Sequence, residues 1–130
     1  MVKGSVLMVE DSHREATALT QCLKKSGYEV LNVGTAEAAK VMLREKNFDV
    51  ILIDVVLPGQ SGYSLCRELK KQKNTANIPI IICSSKSEKI DKQWGMKQGA
   101  SAYVTKPVDQ EKLVATLEKL VVWKTSLFND

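Results

Sequence analysis

Five times along this chain a short apolar run is followed by a stretch whose apolar residues return at helical spacing. The runs are Ser5 to Val9, Tyr28 to Val33, Val50 to Ile53, Ile80 to Cys83 and Ala102 to Thr105. Runs this short, set between turn signals, suit strands. The third and fourth are apolar at every position, which predicts strands covered on both faces. The stretches between them carry helix signals. Ser12 and Glu15 have the spacing of a capping box. Ala16, Leu19 and Leu23 then form a buried stripe, and Gly27 suits the C-terminal end of that helix. Thr35 can cap a second helix to about Glu45, with Ala39 and Leu43 inward. A third helix is expected from about Gly62 to Gln72, after the break at Pro58 and Gly59, and a fourth from roughly Ser87 to Gln98. Asp109 can cap a fifth, with Leu113, Val114, Leu117, Leu120 and Val121 inward.

Strand and helix in alternation predict an α/β fold with a parallel sheet and helices on both faces. Right-handed crossovers leave few topologies. The flavodoxin-like, doubly wound arrangement with strand order 2-1-3-4-5 and five helices fits best. At 130 residues the chain holds one such domain. Residues 1–122 are expected to form it, with 123–130 as a short tail. Trp123, Leu127 and Phe128 in that tail would pack back on the body or contact a partner, and packing is the preferred reading. No internal repeat or low-complexity linker is present.

Charge and composition narrow the function. The net charge of +4 is spread among acidic residues with no long basic run, which favours a solvated helix surface over a nucleic-acid contact. Cys22, Cys66 and Cys83 form no C-x-x-C pair and lie in apolar stretches, so they read as buried free thiols in a reducing compartment. The apolar run to Val9 is too short for a secretory leader and is followed at once by acids. No apolar stretch approaches the roughly 18 residues that would cross a bilayer. No membrane insertion and a cytoplasmic location are expected.

In a sheet of this kind ligands sit beyond the carboxyl ends of the strands. Strand one ends in Glu10-Asp11, strand three in Asp54, strand four in Ser84-Ser85 and strand five in Lys106-Pro107. Three carboxylates, a hydroxyl and an ammonium are therefore expected at one edge. Any one acid could merely cap the next helix. Asp54 resists that reading, because Val55, Val56, Leu57 and Pro58 follow it. Clustered carboxylates repel one another unless a cation or protons compensate, and hard oxygen ligands suit Mg²⁺, with Mn²⁺ as a substitute. A carboxylate is a poor nucleophile toward an anionic phosphoryl group; Mg²⁺ offsets the repulsion, and Lys106 adds positive charge from the other side. The Ser84 hydroxyl can hydrogen-bond a phosphoryl oxygen once it is attached to Asp54. The added charge of about −1.5 to −2 could pull the strand-four loop inward, which describes a switch rather than an enzyme's turnover site.

The motifs V-E-D-S at 9–12, I-D-V-V-L-P-G at 53–59, I-I-C-S-S-K at 81–86 and Y-V-T-K-P-V at 103–108, in this order and spacing, resemble those of CheY-like response-regulator receiver domains of two-component signalling. The resemblance covers nearly the whole chain. It implies that Asp54 is the phosphoacceptor, that Asp11 is a direct Mg²⁺ ligand, and that Glu10 acts partly through water. The backbone carbonyl of Val56 would be a further ligand. Ser84 matches the switch hydroxyl, Lys106 the phosphate-contacting lysine, and Tyr103 the switch aromatic that changes rotamer with it; otherwise Tyr103 is a half-buried strand residue. Lys106-Pro107 corresponds to a peptide bond that is usually cis in receivers. The implied partners are a histidine kinase or phosphotransfer protein, and a downstream protein target on the face of helix four, strand five and helix five.

The stretch from Ser84 to Pro107, with D-K-Q-W-G-M-K-Q-G-A at 91–100, is also similar to single-domain receivers of type IV pilus and twitching-motility chemosensory systems. Trp94 is its most distinctive residue, read either as a partner contact or as a core filler. Three positions depart from the common pattern. Glu10 replaces an aspartate and lengthens the arm, Ser85 stands beside the switch hydroxyl in place of alanine, and Ser61 stands where an acid is frequent. Val56 and Lys86, two residues after Asp54 and Ser84, flank the path of a hydrolytic water. Neither orients it nor acts as a base, so slow autodephosphorylation is expected.

Two other classes compete. An aspartyl-nucleophile phosphatase would want an acid two residues after the nucleophile, where Val56 stands. A phosphate-independent adaptor on the same fold would not need all five site groups intact. A nucleotide-binding domain lacks both a P-loop and G-x-G-x-x-G.

Overall fold

A computed structural model describes the backbone of residues 2–128 and the side chains of residues 2–121. Strands β1 (Gly4–Val9), β2 (Tyr28–Val33), β3 (Val50–Ile53), β4 (Ile80–Ser84) and β5 (Ala102–Thr105) alternate with helices α1 (His13–Lys25), α2 (Ala36–Glu45), α3 (Gly62–Lys71), α4 (Lys89–Lys97) and α5 (Gln110–Phe128). All strand pairings are parallel and the sheet runs β2-β1-β3-β4-β5, as the alternation predicts.

The period of two along each strand sorts the core into two layers. Leu7, Val9, Ile51, Ile53, Ile80 and Ile82 face α2 and α3, where they meet Ala39, Leu65, Cys66 and Leu69. Val6, Met8, Val50, Leu52, Ile81 and Cys83 face α1 and α5, against Ala16, Leu19, Leu23, Leu113 and Leu117. Both faces of β3 and β4 are thus covered, which is why they carry no polar alternation. Each fully buried aliphatic side chain contributes about 1.5–3 kcal/mol of transfer free energy. Burial pushes the Cys66 thiol up to about 11 and the Cys83 thiol up to about 12. Cys22 is only partly buried, contrary to expectation, because it looks out from α1 toward a groove shared with α5.

Helix ends follow local chemistry, with two corrections. The Ser12 hydroxyl accepts from the Glu15 amide at 3.3 Å, but the reciprocal half of the expected capping box is missing. The Ser12 amide donates instead to Glu10 Oε2 at 3.1 Å, and the Glu15 carboxylate is engaged elsewhere. Helix α4 starts at Lys89 rather than near Ser87, because the Asp91 carboxylate accepts from the Glu88 amide and makes Glu88 the cap. Thr35 and Ser61 cap α2 and α3, and Asp109 accepts from the Lys112 amide at the start of α5, as expected for Thr35 and Asp109. Gly27 follows α1 at φ 98°. The expected packing of Trp123, Leu127 and Phe128 lies outside the described side chains. Among the described residues no helix is long and apolar enough to cross a membrane.

Candidate functional site

Strand register builds the site. Val9 is paired with Ile53, Ile53 with Ile82, and Ser84 with Thr105, so four strands end level with one another. The pairing continues one residue further: the Asp54 amide donates to Val9 O at 3.0 Å and the Lys106 amide to Ser84 O at 2.9 Å. Glu10, Asp54, Ser84 and Lys106 are thereby set side by side on the carboxyl edge. Gly62 closes the loop that follows Asp54. Its amide donates to Val55 O at 2.8 Å, and a Cβ there would run into the Asp54 carbonyl, so no other residue fits without a backbone shift. The Lys106-Pro107 peptide bond is cis, as the resemblance implies.

Lys106 is the hub. Its Nζ lies 2.6 Å from Glu10 Oε1, 2.7 Å from Glu15 Oε2 and 3.3 Å from Asp54 Oδ2. Glu10 and Asp54 are 3% and 8% exposed, so both are nearly out of water. Burial raises the pKa of Glu10, and the neighbouring Asp54 charge adds to that, against the Lys106 hydrogen bond and the Ser12 amide, which lower it. Burial alone would lower the pKa of Lys106. The Glu10 and Glu15 hydrogen bonds and the Asp54 charge outweigh it and hold the ammonium above its ordinary value. Lys106 is therefore a fixed positive charge beside Asp54.

The structure brings together Glu10, Asp54, Ser84 and Lys106 but not all of the expected carboxylates. Asp11 is exposed, and the three acids whose oxygens lie within 4.8 Å of one another are Glu10, Glu15 and Asp54. One ammonium can compensate only the acids it touches, and Asp11 gains more from water. In the sequence Glu15 has a purely local explanation, as half of a capping box with Ser12. The available signal was its place in the first turn of α1, just beyond the carboxyl end of β1. The donor set fits a hard divalent cation: carboxylate oxygens alone, with more negative charge than Lys106 neutralises.

Ser84 is fully buried and its Oγ accepts from the Lys86 amide at 3.2 Å, whereas Ser85 is exposed. The hydroxyl is thus tied to the loop that leads into α4. Tyr103 reaches the same loop from β5, donating to Lys86 O at 2.6 Å. Its hydroxyl also lies 3.2 Å from that of Tyr63 on α3, which is 3.1 Å from Asp91 O. Burial is the main cause that pushes the Tyr63 phenol up, and the bond to Tyr103 adds to it. Nothing near Tyr63 in the sequence points to Tyr103. The Tyr103 ring lies so close to α4 that a Cβ on Gly95 would sit 2.8 Å from its Cδ2. Trp94 is exposed, not core, with Lys97 Nζ 5.8 Å from its ring centroid. Val56 is exposed, and its amide points to Asp54 Oδ1 at 3.4 Å.

Known proteins resemble this chain in sequence and in fold. The sequence profile of the response regulator receiver domain matches residues 6–118. Protein PilH of Pseudomonas aeruginosa is 40% identical over 116 residues, covering 89% of this chain and 96% of PilH. The phosphate regulon regulatory protein PhoB of the same organism is 36% identical over 93% of this chain, which spans 53% of PhoB. Among solved structures, the chemotaxis response regulator CheY4 of Vibrio cholerae superposes with a TM-score of 0.83 at 28% identity, over 89% of this chain and 97% of that one. The receiver domain of the sensor histidine kinase PA1611 of Pseudomonas aeruginosa, with magnesium coordinated in its active-site cleft, gives 0.84 at 29% identity, over 91% and 97% of the two chains. A sequence match through residue 118 and a fold shared with solved receivers along almost the whole length place this chain in the response regulator receiver-domain family.

Proposed function

We propose that this protein is a phosphorylation switch that accepts a phosphoryl group on Asp54 from a histidine kinase or phosphotransfer protein. The observation that carries the reading is the nearly buried Asp54 carboxylate, 3.3 Å from an ammonium that two further carboxylates hold in place. Asp54 Oδ attacks phosphorus. The new O–P bond forms as the bond from phosphorus to the donor breaks, and the electron pair leaves with the donor. Lys106 stabilises the charge on the transferring group's oxygens. Asp11, Asp54 and Glu10, with the Val56 carbonyl, would hold Mg²⁺. When bound, that ion supplies the positive charge that lets one anion attack another.

Ser84 then donates its O–H to a phosphoryl oxygen and draws the loop with it through the Lys86 amide, from which its Oγ accepts. Because Tyr103 is bonded to Lys86 O, movement of that loop reaches β5 and α4. The exposed Trp94 lies on the face that would meet a downstream protein. Similarity to PilH supports a role in pilus-based motility or taxis. Incubation with acetyl phosphate and Mg²⁺ should add one phosphoryl group by intact mass, and Asp54→Asn should abolish the gain. No gain, or a gain that survives the substitution, overturns the reading.

A further inference from the structure

Lysine offers three N–H donors, and in this structure three carboxylate oxygens face them: Glu10 at 2.6 Å, Glu15 at 2.7 Å and Asp54 at 3.3 Å. An incoming phosphoryl oxygen can bind Lys106 only if one of these gives way. Glu10 is the worst candidate, being 3% exposed with its second oxygen held by the Ser12 amide. Asp54 is the group being modified. Glu15 differs from both. Its side chain is 45% exposed, and among the described residues its carboxylate has no hydrogen-bond donor besides Lys106. It also lines an open pocket of about 200 Å³ with Ala18, Lys106, Pro107 and Gln110, so it has room to swing outward. On leaving Lys106 it returns to water, where a carboxylate loses little.

We propose that Glu15 is a positioning residue that occupies, in the unphosphorylated chain, the place on Lys106 that a phosphoryl oxygen takes. The inference rests on Asp54 being the phosphoacceptor. Glu15 is a place-holder: it keeps the lysine pointed into the pocket and yields to the anion that replaces it. Its charge acts in opposite senses on the two ligands of the site. It attracts a cation, and it opposes an anion both by repulsion and by competing for Lys106.

The test uses the whole chain and two probes. Mg²⁺ alone is titrated by calorimetry, and beryllofluoride is titrated at saturating Mg²⁺. For Glu15→Gln the expectation is Mg²⁺ binding weakened and beryllofluoride binding tightened, each by about three- to tenfold, as for one charge a few ångströms away in a partly solvated site. Acetyl phosphate should label this variant faster at equal occupancy by Mg²⁺. A purely structural role in α1 would move both affinities the same way, or lower only the melting temperature. Glu15→Ala, which removes reach and charge together, repeats the experiment should the glutamine still hold Lys106. Wild-type chain that binds beryllofluoride, with variants that leave both affinities unchanged or weaken both, overturns the place-holder. Wild-type chain that takes no beryllofluoride overturns the phosphoacceptor reading itself.

Discussion

Lys106 Nζ and Glu10 Oε1 meet at 2.6 Å with side chains 11% and 3% exposed, so a charge pair joins the ends of β5 and β1 almost out of reach of water. The pair explains how an acid as buried as Glu10 is tolerated, since an unpartnered carboxylate there would be strongly penalised.

Truncating Lys106 should therefore cost stability as well as function. Lys106→Met is expected to destabilise the metal-free chain by about 2–3 kcal/mol, below the full penalty for a sealed pair because the Glu15 side of the pocket is open. Adding Glu10→Gln should restore at least half of the loss. Urea unfolding of the single and double variants measures this. Strict additivity of the two substitutions would mean that the pair is not coupled.

Gly95 should be intolerant of even one extra carbon. A Cβ at 2.8 Å from Tyr103 Cδ2 would force the ring off α4 and strain its bond to Lys86 O. Gly95→Ala is expected to lose about 1–3 kcal/mol, as overpacked sites do. In a Tyr103→Leu background the same substitution should cost less, with the contact to Ile82 Cδ1 at 3.1 Å still to be relieved. Thermal melts with near-ultraviolet circular dichroism, which reports Tyr103 packing, distinguish this from a simple change in helix propensity.

The pH dependence of stability carries a contribution remote from the site. Glu68 on α3 is bonded by Lys40 of α2 at 2.9 Å, and that bond, chiefly, lowers its pKa. A depressed carboxylate stabilises the fold above its unfolded pKa, and the benefit disappears as pH falls through the folded value. Glu68→Gln should flatten the acid limb of the melting-temperature profile and lower stability at neutral pH by about 0.3–1 kcal/mol, the range for a partly exposed pair. Parallel profiles for wild type and variant would contradict the assignment.

Turnover of the phosphorylated form should be slow. Val56 is 59% exposed beside Asp54, and its side chain offers no polar group to a hydrolytic water. Val56→Asn is expected to speed loss of phosphate by roughly three- to tenfold, the size of one hydrogen bond to an attacking water. The decay of phosphorylated protein after removal of acetyl phosphate gives the rate. An unchanged rate would point to a barrier elsewhere.

What could be read from sequence followed the range of the interactions involved. β2, β3 and β5 fall where their apolar runs predict, because the period of strand burial is written locally. The level strand ends follow from the topology, which is why Glu10, Asp54, Ser84 and Lys106 could be grouped in advance. Glu15 could not be, because its spacing from Ser12 offers a local explanation while its actual partner lies ninety-one positions away. Asp11 follows Glu10 at the end of β1 and is exposed, while the acids whose oxygens lie within 4.8 Å of one another are Glu10, Glu15 and Asp54. The pairing of Tyr63 with Tyr103 depends on how α3 packs beside β5, and no periodicity encodes it.

The most direct test is to find which residue takes the phosphoryl group. The chain is treated with acetyl phosphate and Mg²⁺, then reduced with borohydride, which converts an aspartyl phosphate to homoserine, and the product is mapped by peptide mass spectrometry. Homoserine at position 54 and nowhere else is the predicted result. An unmodified Asp54, or reduction at another acid, would contradict it.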